Sequence, residues 1–179
     1  EDREHPDVVA GGLGDGVVLR ADLEGLAVAA RLAVDLDERG LLDLLLLGLL
    51  GGAAGGFVRP DELDIPLTFE GTRAAGTVLG SGVAMVFDDT VDMPRMLMRI
   101  AAFFRNESCG QCVPCRVGTV RQQESLARLI SGNTLGTVDD ELALVAEIGQ
   151  CMRDASICGL GQTASSAIES AIRRLDVFQ

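Results

Sequence analysis

The sequence predicts a two-part α+β chain, with a small sheet-containing domain at residues 1–88 and a helical domain at residues 89–179. Glycine and runs of β-branched residues dominate the first part, which contains no cysteine. The second part shows apolar residues at helical spacing, interrupted by short loops, and it holds all five cysteines. With 179 residues, 47% of them hydrophobic, the chain is long enough for two small domains with buried cores.

The first part has the element order of a compact sheet domain. Residues 8–10 and 17–19 flank a glycine-rich turn and predict a hairpin. Residues 22–34 place their apolar side chains on one helical face, and residues 83–87 predict a short strand. Residues 41–50 fit either a buried strand or a buried helix. Hairpin, helix, strand and final strand is the order of a β-grasp (ubiquitin-like) domain, which we therefore expect at residues 1–88.

The second part predicts a structure like a four-helix bundle. Asp92 is placed to cap the first helix, with Pro94 in its first turn. Asp139 and Asp140 are typical of a helix start, and Ser131-Gly132-Asn133 of a helix end. The four helices are predicted at about residues 93–104, 116–130, 139–153 and 163–175.

Charge and composition exclude several classes of function. A net charge of −12 argues against nucleic acid and against an anionic membrane surface as partners. The richest apolar run, residues 41–50, is too short to span a bilayer, and no signal peptide precedes it. The single histidine, His5, leaves no pair for nucleophilic catalysis, so we predict no catalytic residue. We expect a cytoplasmic protein, without membrane insertion of its own but peripheral to a membrane complex.

The cysteines carry the strongest functional signal. Cys109, Cys112 and Cys115 follow the spacing C-x2-C-x2-C in a segment with glycine and proline. Three thiolates at this spacing can hold three irons of one [4Fe–4S] cluster, and the fourth iron then needs a ligand from elsewhere. Two later cysteines compete for that role, Cys151 and Cys158.

Context favours Cys158 as the fourth ligand. It lies in the glycine-bounded turn Ser156-Ile157-Cys158-Gly159-Leu160-Gly161, ahead of a predicted helix, whereas Cys151 fits a small buried hydrophobic residue near a helix end. Zinc is the main rival metal, but zinc sites usually present two C-x2-C pairs, and the second pair is missing here. Buried structural thiols are disfavoured, because the first three cysteines are predicted to lie in a loop.

These residues resemble a known family motif. The segment Glu107-Ser108-Cys109-Gly110-Gln111-Cys112-Val113-Pro114-Cys115-Arg116 is similar to the cluster motif of the NADH-binding flavoprotein subunit of respiratory complex I. It also resembles the diaphorase subunits of NAD-linked hydrogenases and formate dehydrogenases. The similarity is strong over about residues 76–179 and moderate over residues 42–75. In this family, a β-grasp domain of the SLBB type precedes the cluster domain.

The resemblance implies electron transfer within a multisubunit oxidoreductase. Cys109, Cys112, Cys115 and Cys158 match the family's cluster ligands, which take electrons from FMN reduced by NADH and pass them to iron–sulfur clusters in other subunits. The flavin and NADH domain has no counterpart in this chain, so we expect FMN and NADH in a missing domain or a partner chain. Other iron–sulfur and flavin-binding subunits are the expected partners.

Two alternatives remain open from the residues alone. Arg116 either raises the cluster's potential through its charge or forms an ordinary salt bridge with a carboxylate such as Glu107. The whole chain is either a redox module or a structural interaction module whose four cysteines bind zinc or remain empty.

Overall fold

In a computed structural model, the chain divides into two compact units, Glu1–Val91 and Asp92–Gln179. The structure describes residues 17–20 (backbone only), 47–62, 65–87 and 91–178. Strands and helices occur together, which confirms the predicted α+β class. The first half of the predicted hairpin, the helix at 22–34, residues 41–46 and Asp88-Asp89 lie outside the described residues.

The described residues of the first unit include a four-stranded antiparallel sheet. Its strands are β1 (Val17–Arg20), β2 (Leu47–Leu50), β3 (Gly56–Val58) and β4 (Val83–Phe87), in the spatial order β1-β4-β2-β3. β4 pairs with β1 through Val17 opposite Val86, and with β2 through Leu49 opposite Met85. The predicted strand at residues 83–87 is therefore confirmed, and the described end of the ambiguous run 41–50 is a strand.

A glycine turn joins β2 to β3. The short 3-10 helix Gly52–Ala54 follows Gly51, whose φ of 87° lies in the left-handed region that favours glycine. A Cβ at Gly51 would lie 2.6 Å from the carbonyl oxygen of Val78, so the turn packs too closely for a side chain. Residues 51–55 therefore form a tight turn between β2 and β3.

The core of the first unit is aliphatic, with two aromatic rings. Leu50, Val58 and Ala84 form a buried cluster, against which Ile65 and Leu67 pack. The rings of Phe57 and Phe87, which are both buried, lie 5.9 Å apart. Helix α1 (Phe69–Ala74) begins at Thr68, whose Oγ1 accepts a hydrogen bond from the backbone N–H of Gly71. A second 3-10 turn, Pro60–Glu62, precedes it.

In the described part of the second unit, residues 92–178, all regular elements are helices, joined by short loops. Its helices are α2 (Met93–Glu107), α3 (Val113–Ser131), α4 (Val138–Ala155), α5 (Gly159–Thr163) and α6 (Ser166–Leu175). α3 packs against both α2 and α4, and α6 packs against α2 and α4. The buried side chains include Leu97, Phe104, Leu126, Val145, Met152 and Ile168. In the described part of the chain, no helix combines the length and apolar character needed to cross a membrane.

Caps explain where these helices begin. The Asp92 carboxylate accepts from the backbone N–H of Arg95, as predicted for the start of α2. Thr137 and Asp140 form a reciprocal capping box at the start of α4. α3 ends at Gly132, which has a φ of 71°.

Two helix predictions need correction. α3 begins at Val113 rather than Arg116, because Pro114 fits the first helical turn, where its missing N–H costs nothing. The helix predicted at 163–175 is α6, which begins three residues later than predicted, and the short helix α5 ahead of it was not predicted. The described part of the second unit therefore has five helices instead of four.

Candidate metal centre

The cysteine triplet spans the junction of α2 and α3. α2 ends at Ser108, Cys109 follows in the connecting loop, and Gly110 turns the backbone with a φ of 74°. Cys112 is the N-cap residue of α3, and Cys115 lies within its first turn. The junction therefore directs three thiols towards one end of α3, where free backbone N–H groups and the helix dipole favour anionic sulfur.

Cys158 reaches the same place from a second junction. It is the N-cap residue of α5, two residues after Ser156, the C-cap of α4. The prediction that Cys158 lies in a turn before a helix is therefore confirmed. Because α3 packs against both α4 and α5, the two junctions are brought together.

The four predicted ligand cysteines line one cavity of about 160 Å³. Leu160 closes part of the wall, and polar residues of the α2–α3 junction contribute the remainder. The lining residues are Glu107, Ser108, Cys109, Gln111, Cys112, Cys115, Cys158 and Leu160. The set of four that spacing and resemblance selected is therefore the set that the fold brings together.

Burial differs among the four cysteines. Cys109 and Cys158 are exposed, Cys112 is half-buried, and Cys115 is only 5% exposed. The expectation that all three cysteines of the triplet lie in a loop was wrong for Cys115, because α3 starts earlier than predicted and carries it into the helix. The cavity thus opens to solvent on one side and ends on α3 at the other.

The prediction that Cys151 is buried was wrong. The pattern of α4 suggested a small buried residue, but Cys151 is exposed, while its neighbour Met152 is fully buried. The periodic position belongs to Met152, which packs against α3 at Gly118, where a Cβ would lie 2.5 Å from the Met152 side chain. Cys151 does not belong to the residues that line the cavity.

The surroundings of Cys112 favour its thiolate. The backbone N–H of Ile157 is the largest cause of a lowered pKa of the Cys112 thiol, followed by the backbone N–H of Cys115. Burial opposes this effect, and the Ser156 hydroxyl adds to it. Because only a deprotonated cysteine binds a metal, donors aimed at this sulfur prepare it as a ligand.

Arg116 forms a hydrogen bond to the backbone of the cysteine loop, and not to a carboxylate. Its NH1 group donates to the carbonyl oxygen of Gly110 at 3.2 Å, across the turn that carries Cys109 and Cys112. Among the described residues, Arg116 forms no ion pair with Glu107, so the predicted salt bridge between these two is not formed. Its charge remains close to the cysteine loop.

Two serines lie at the site, and the spacing of the cysteines does not point to either of them. Ser108 Oγ lies 3.3 Å from Cys115 Sγ, and the buried Ser156 hydroxyl contributes to the lowered pKa of the Cys112 thiol. The sequence predictions did not include either of them. For Ser108 the available signal is its position directly before Cys109 in the motif, and for Ser156 it is the turn two residues before Cys158.

The cysteines do not converge on a single point. Within the described ranges, no three His, Cys, Asp or Glu side chains are arranged to hold one metal ion. A tetrahedral zinc site with Zn–S bonds of about 2.3 Å needs sulfurs roughly 4 Å apart, around one centre. A cubane cluster instead presents one iron to each thiolate, so its four sulfurs surround a larger volume. Four cysteines that line one cavity are the kind of donor set that a [4Fe–4S] cluster uses.

Comparison with known proteins identifies the family. Residues 95–176 match the model of the NADH-ubiquinone oxidoreductase-F iron–sulfur binding region. Residues 95–176, most of the second unit, therefore match a 4Fe–4S binding domain, and the resemblance predicted from the cysteine motif is confirmed.

Relatives extend the match beyond that region. The chain is 35% identical over 123 residues to the F subunit of NADH-quinone oxidoreductase from Mycobacterium tuberculosis, an alignment that covers 69% of this chain and 27% of the relative. It is 33% identical over 135 residues to the corresponding protein of Rickettsia rickettsii, covering 75% and 31%. It is 34% identical over 122 residues to the HndC subunit of the NADP-reducing hydrogenase from Solidesulfovibrio fructosivorans, covering 68% and 24%.

A solved structure shares the fold. The NAD+-reducing [NiFe]-hydrogenase in its H2-reduced state superposes with a TM-score of 0.64 at 29% identity, covering 75% of this chain and 22% of that one. The chain thus spans between about a fifth and a third of the length of the relatives it matches. The names of these relatives describe NADH-quinone oxidoreductases and hydrogenases that reduce NAD+ or NADP.

Proposed function

We propose that Cys109, Cys112, Cys115 and Cys158 bind one [4Fe–4S] cluster and that the chain transfers single electrons through it. The observation that carries this proposal is the cavity that all four cysteines line. They come from two helix junctions, 43 residues apart at their nearest members, and only the fold brings them together. Bound to this chain, the cluster would accept and release one electron at a time without a bond to substrate.

The residues present fit such a cluster. The volume of about 160 Å³, the spread of the four cysteines around it and the donors aimed at Cys112 all suit a multi-iron group. Cys115 would anchor it on the rigid first turn of α3, and Leu160 would keep water from one wall. The exposed Cys109 and Cys158 lie on the side from which an electron partner could approach.

The module is proposed to work inside a larger assembly. Its relatives are named as subunits of NADH-quinone oxidoreductase and of a hydrogenase, and the chain matches only 24–31% of their length. We therefore place the FMN and NADH sites in a domain or partner chain outside residues 1–179, upstream of the cluster in the path of electrons. Further iron–sulfur subunits would receive the electrons. A cytoplasmic location remains a prediction.

The domain assignment is part of the proposal. We assign residues 1–88 to a β-grasp domain of the SLBB type and residues 89–179 to the iron–sulfur domain. The central position of β4, between β1 and β2, supports the β-grasp assignment. An experimental structure that shows residues 22–34 as a helix on one face of this sheet would support it further, and a strand there would contradict it.

The cluster can be tested on the full chain. Purified without oxygen, the protein should be brown and contain about four irons per chain, following the cluster type. After reduction, it should give the electron paramagnetic resonance signal of a one-electron-reduced [4Fe–4S] centre. A colourless protein with one zinc per chain would contradict the proposal and favour the structural interaction module.

The fourth ligand has a matched control within the chain. Cys158→Ala should lose the cluster, or retain it with fewer irons, because it removes a cavity-lining thiolate. Cys151→Ala should keep the full iron content, since Cys151 is exposed outside the cavity. Equal iron retention in the two variants would overturn the assignment of Cys158.

A further inference from the structure

The hydroxyl of Ser108 lies against the most buried of the four cysteines. Its Oγ is 3.3 Å from Cys115 Sγ, and the backbone N–H of Gly110 donates to the same oxygen at 3.3 Å. Because that N–H occupies a lone pair of Oγ, the hydroxyl proton remains available for the sulfur. A cysteine bound to iron is a thiolate and can only accept, so Ser108 is then the donor.

A second hydroxyl faces a second ligand. Ser156 is 6% exposed, and its Oγ makes no hydrogen bond in the structure, although buried hydroxyls are normally paired. The same hydroxyl lies beside the site, because a Cβ at Gly161 would be 2.4 Å from Ser156 Oγ and 2.8 Å from Cys115 Cβ. It also contributes to the lowered pKa of the Cys112 thiol. In a cluster-bound form, the Cys112 thiolate would offer an acceptor to this unpaired proton.

Both serines are held in place by the backbone. Ser108 ends α2 and Ser156 ends α4, so neither can move without a change at a helix terminus. Gly161 of α5 packs directly on Ser156, where a Cβ would lie 2.4 Å from its Oγ. Each hydroxyl is thus fixed at a helix terminus next to the cysteines of the cavity.

We propose that Ser108 and Ser156 are positioning residues, whose hydroxyls donate hydrogen bonds to the ligand sulfurs of Cys115 and Cys112 and raise the reduction potential of the cluster. Reduction adds negative charge that is partly carried by the sulfurs, so a donor to sulfur stabilises the reduced form more than the oxidised form. This inference rests on the proposed cluster and concerns its potential, not its presence.

The test uses the full chain loaded with its cluster. It compares wild type with variants that each lack one serine hydroxyl. Redox titration followed by electron paramagnetic resonance should show that Ser108→Ala and Ser156→Ala each lower the ratio of reduced to oxidised cluster at a fixed potential, by about threefold to tenfold. For a one-electron couple, a tenfold change corresponds to about 59 mV. Ser108→Thr, which keeps a hydroxyl, should restore the ratio.

Ser131→Ala is the matched control. The Ser131 hydroxyl donates to the carbonyl oxygen of Arg128 at the opposite end of α3, so its removal should leave the potential unchanged. An unchanged potential in Ser108→Ala or Ser156→Ala, with four irons retained, would overturn the proposal for that serine. Loss of the cluster in either variant would overturn the proposal that this serine sets the reduction potential. It would indicate that the serine is needed for cluster assembly. A wild-type chain without iron would instead refute the proposed function.

Discussion

The methyl group added by Gly161→Ala in α5 should disturb the packing of the site. Gly161 lies under the cavity wall, and a Cβ there would be 2.4 Å from Ser156 Oγ and 2.8 Å from Cys115 Cβ. Non-bonded heavy atoms prefer about 3.5–4.0 Å. In Gly161→Ala, the N-terminal turn of α3 or the end of α4 must therefore shift by several tenths of an ångström or more, and both carry cavity-lining or neighbouring residues.

The magnitude follows from the cost of overpacking. Extra carbon in a tightly packed interior costs about 1–3 kcal/mol. If the bound cluster holds these elements in place, that strain appears as weaker binding, by about 5-fold to 150-fold at 1.4 kcal/mol per factor of ten. Helix propensity acts in the opposite direction, because Ala is favoured over Gly by about 1 kcal/mol within a helix. A loss of binding would therefore report the clash and not the loss of helix.

Iron release provides the assay. The cluster-loaded Gly161→Ala variant should lose iron to a chelator faster and to a greater extent than wild type, with its helical circular dichroism retained. Gly159→Ala is the control, since a Cβ at Gly159 has no neighbour within 4 Å and lies in the same helix. Equal iron release from the two variants would refute the packing that the structure assigns to Gly161.

Two further predictions concern the end of α3 and the start of α4, at the opposite end of α3 from the cysteines. Glu141, which is 1% exposed, accepts three hydrogen bonds from Arg128, whose side-chain donors lower the pKa of the carboxyl from 4.5 to about 2. Glu141→Gln should reduce the free energy of unfolding by about 3 kcal/mol at pH 7, measured by urea unfolding, whereas Glu124→Gln, in an exposed ion pair, should change it by less than about 1 kcal/mol. Because the folded pKa is depressed, the Glu141 contribution is complete above pH 4.5 and declines as pH falls towards 2, so a constant difference across that window would contradict the ion pair. Thr137→Ala removes the hydroxyl of the capping box and should lower stability by about 1 kcal/mol in the same measurement, and an unchanged midpoint would refute the cap.

The fold was predictable where local signals agree with one another. Asp92 with Pro94, the acidic residues at 139 and 140, and Gly132 mark helix ends in the sequence, and the structure places helix ends there. The start of α3 was missed because a segment with three cysteines, glycine and proline resembles a loop in composition. Proline in the first turn is equally compatible with a helix, and packing against α2 and α4 decides between the two.

The sequence indicated which cysteines line the cavity, but not which groups donate hydrogen bonds to them. The spacing of the triplet and the turn around Cys158 select the four cysteines that line the cavity. Cys151 was predicted to be buried because it lies one residue from the apolar stripe of α4, and a shift of one residue turns a helical side chain by about 100°. The hydroxyl of Ser156 and the backbone N–H of Ile157 reach Cys112 across 44 residues or more, so no local pattern could reveal them.

The position of the site ties cluster binding to the integrity of the helical unit. Ser108 ends α2, Cys112 begins α3, Ser156 ends α4 and Cys158 begins α5, so four helix termini meet at one cavity. Helix termini are the parts of a helix that open first, because their backbone groups lack intrahelical partners. A cluster bound to thiolates at these termini would close them together. The unit should therefore unfold at higher denaturant concentration with the cluster than without it, since a ligand that binds only the folded state stabilises that state.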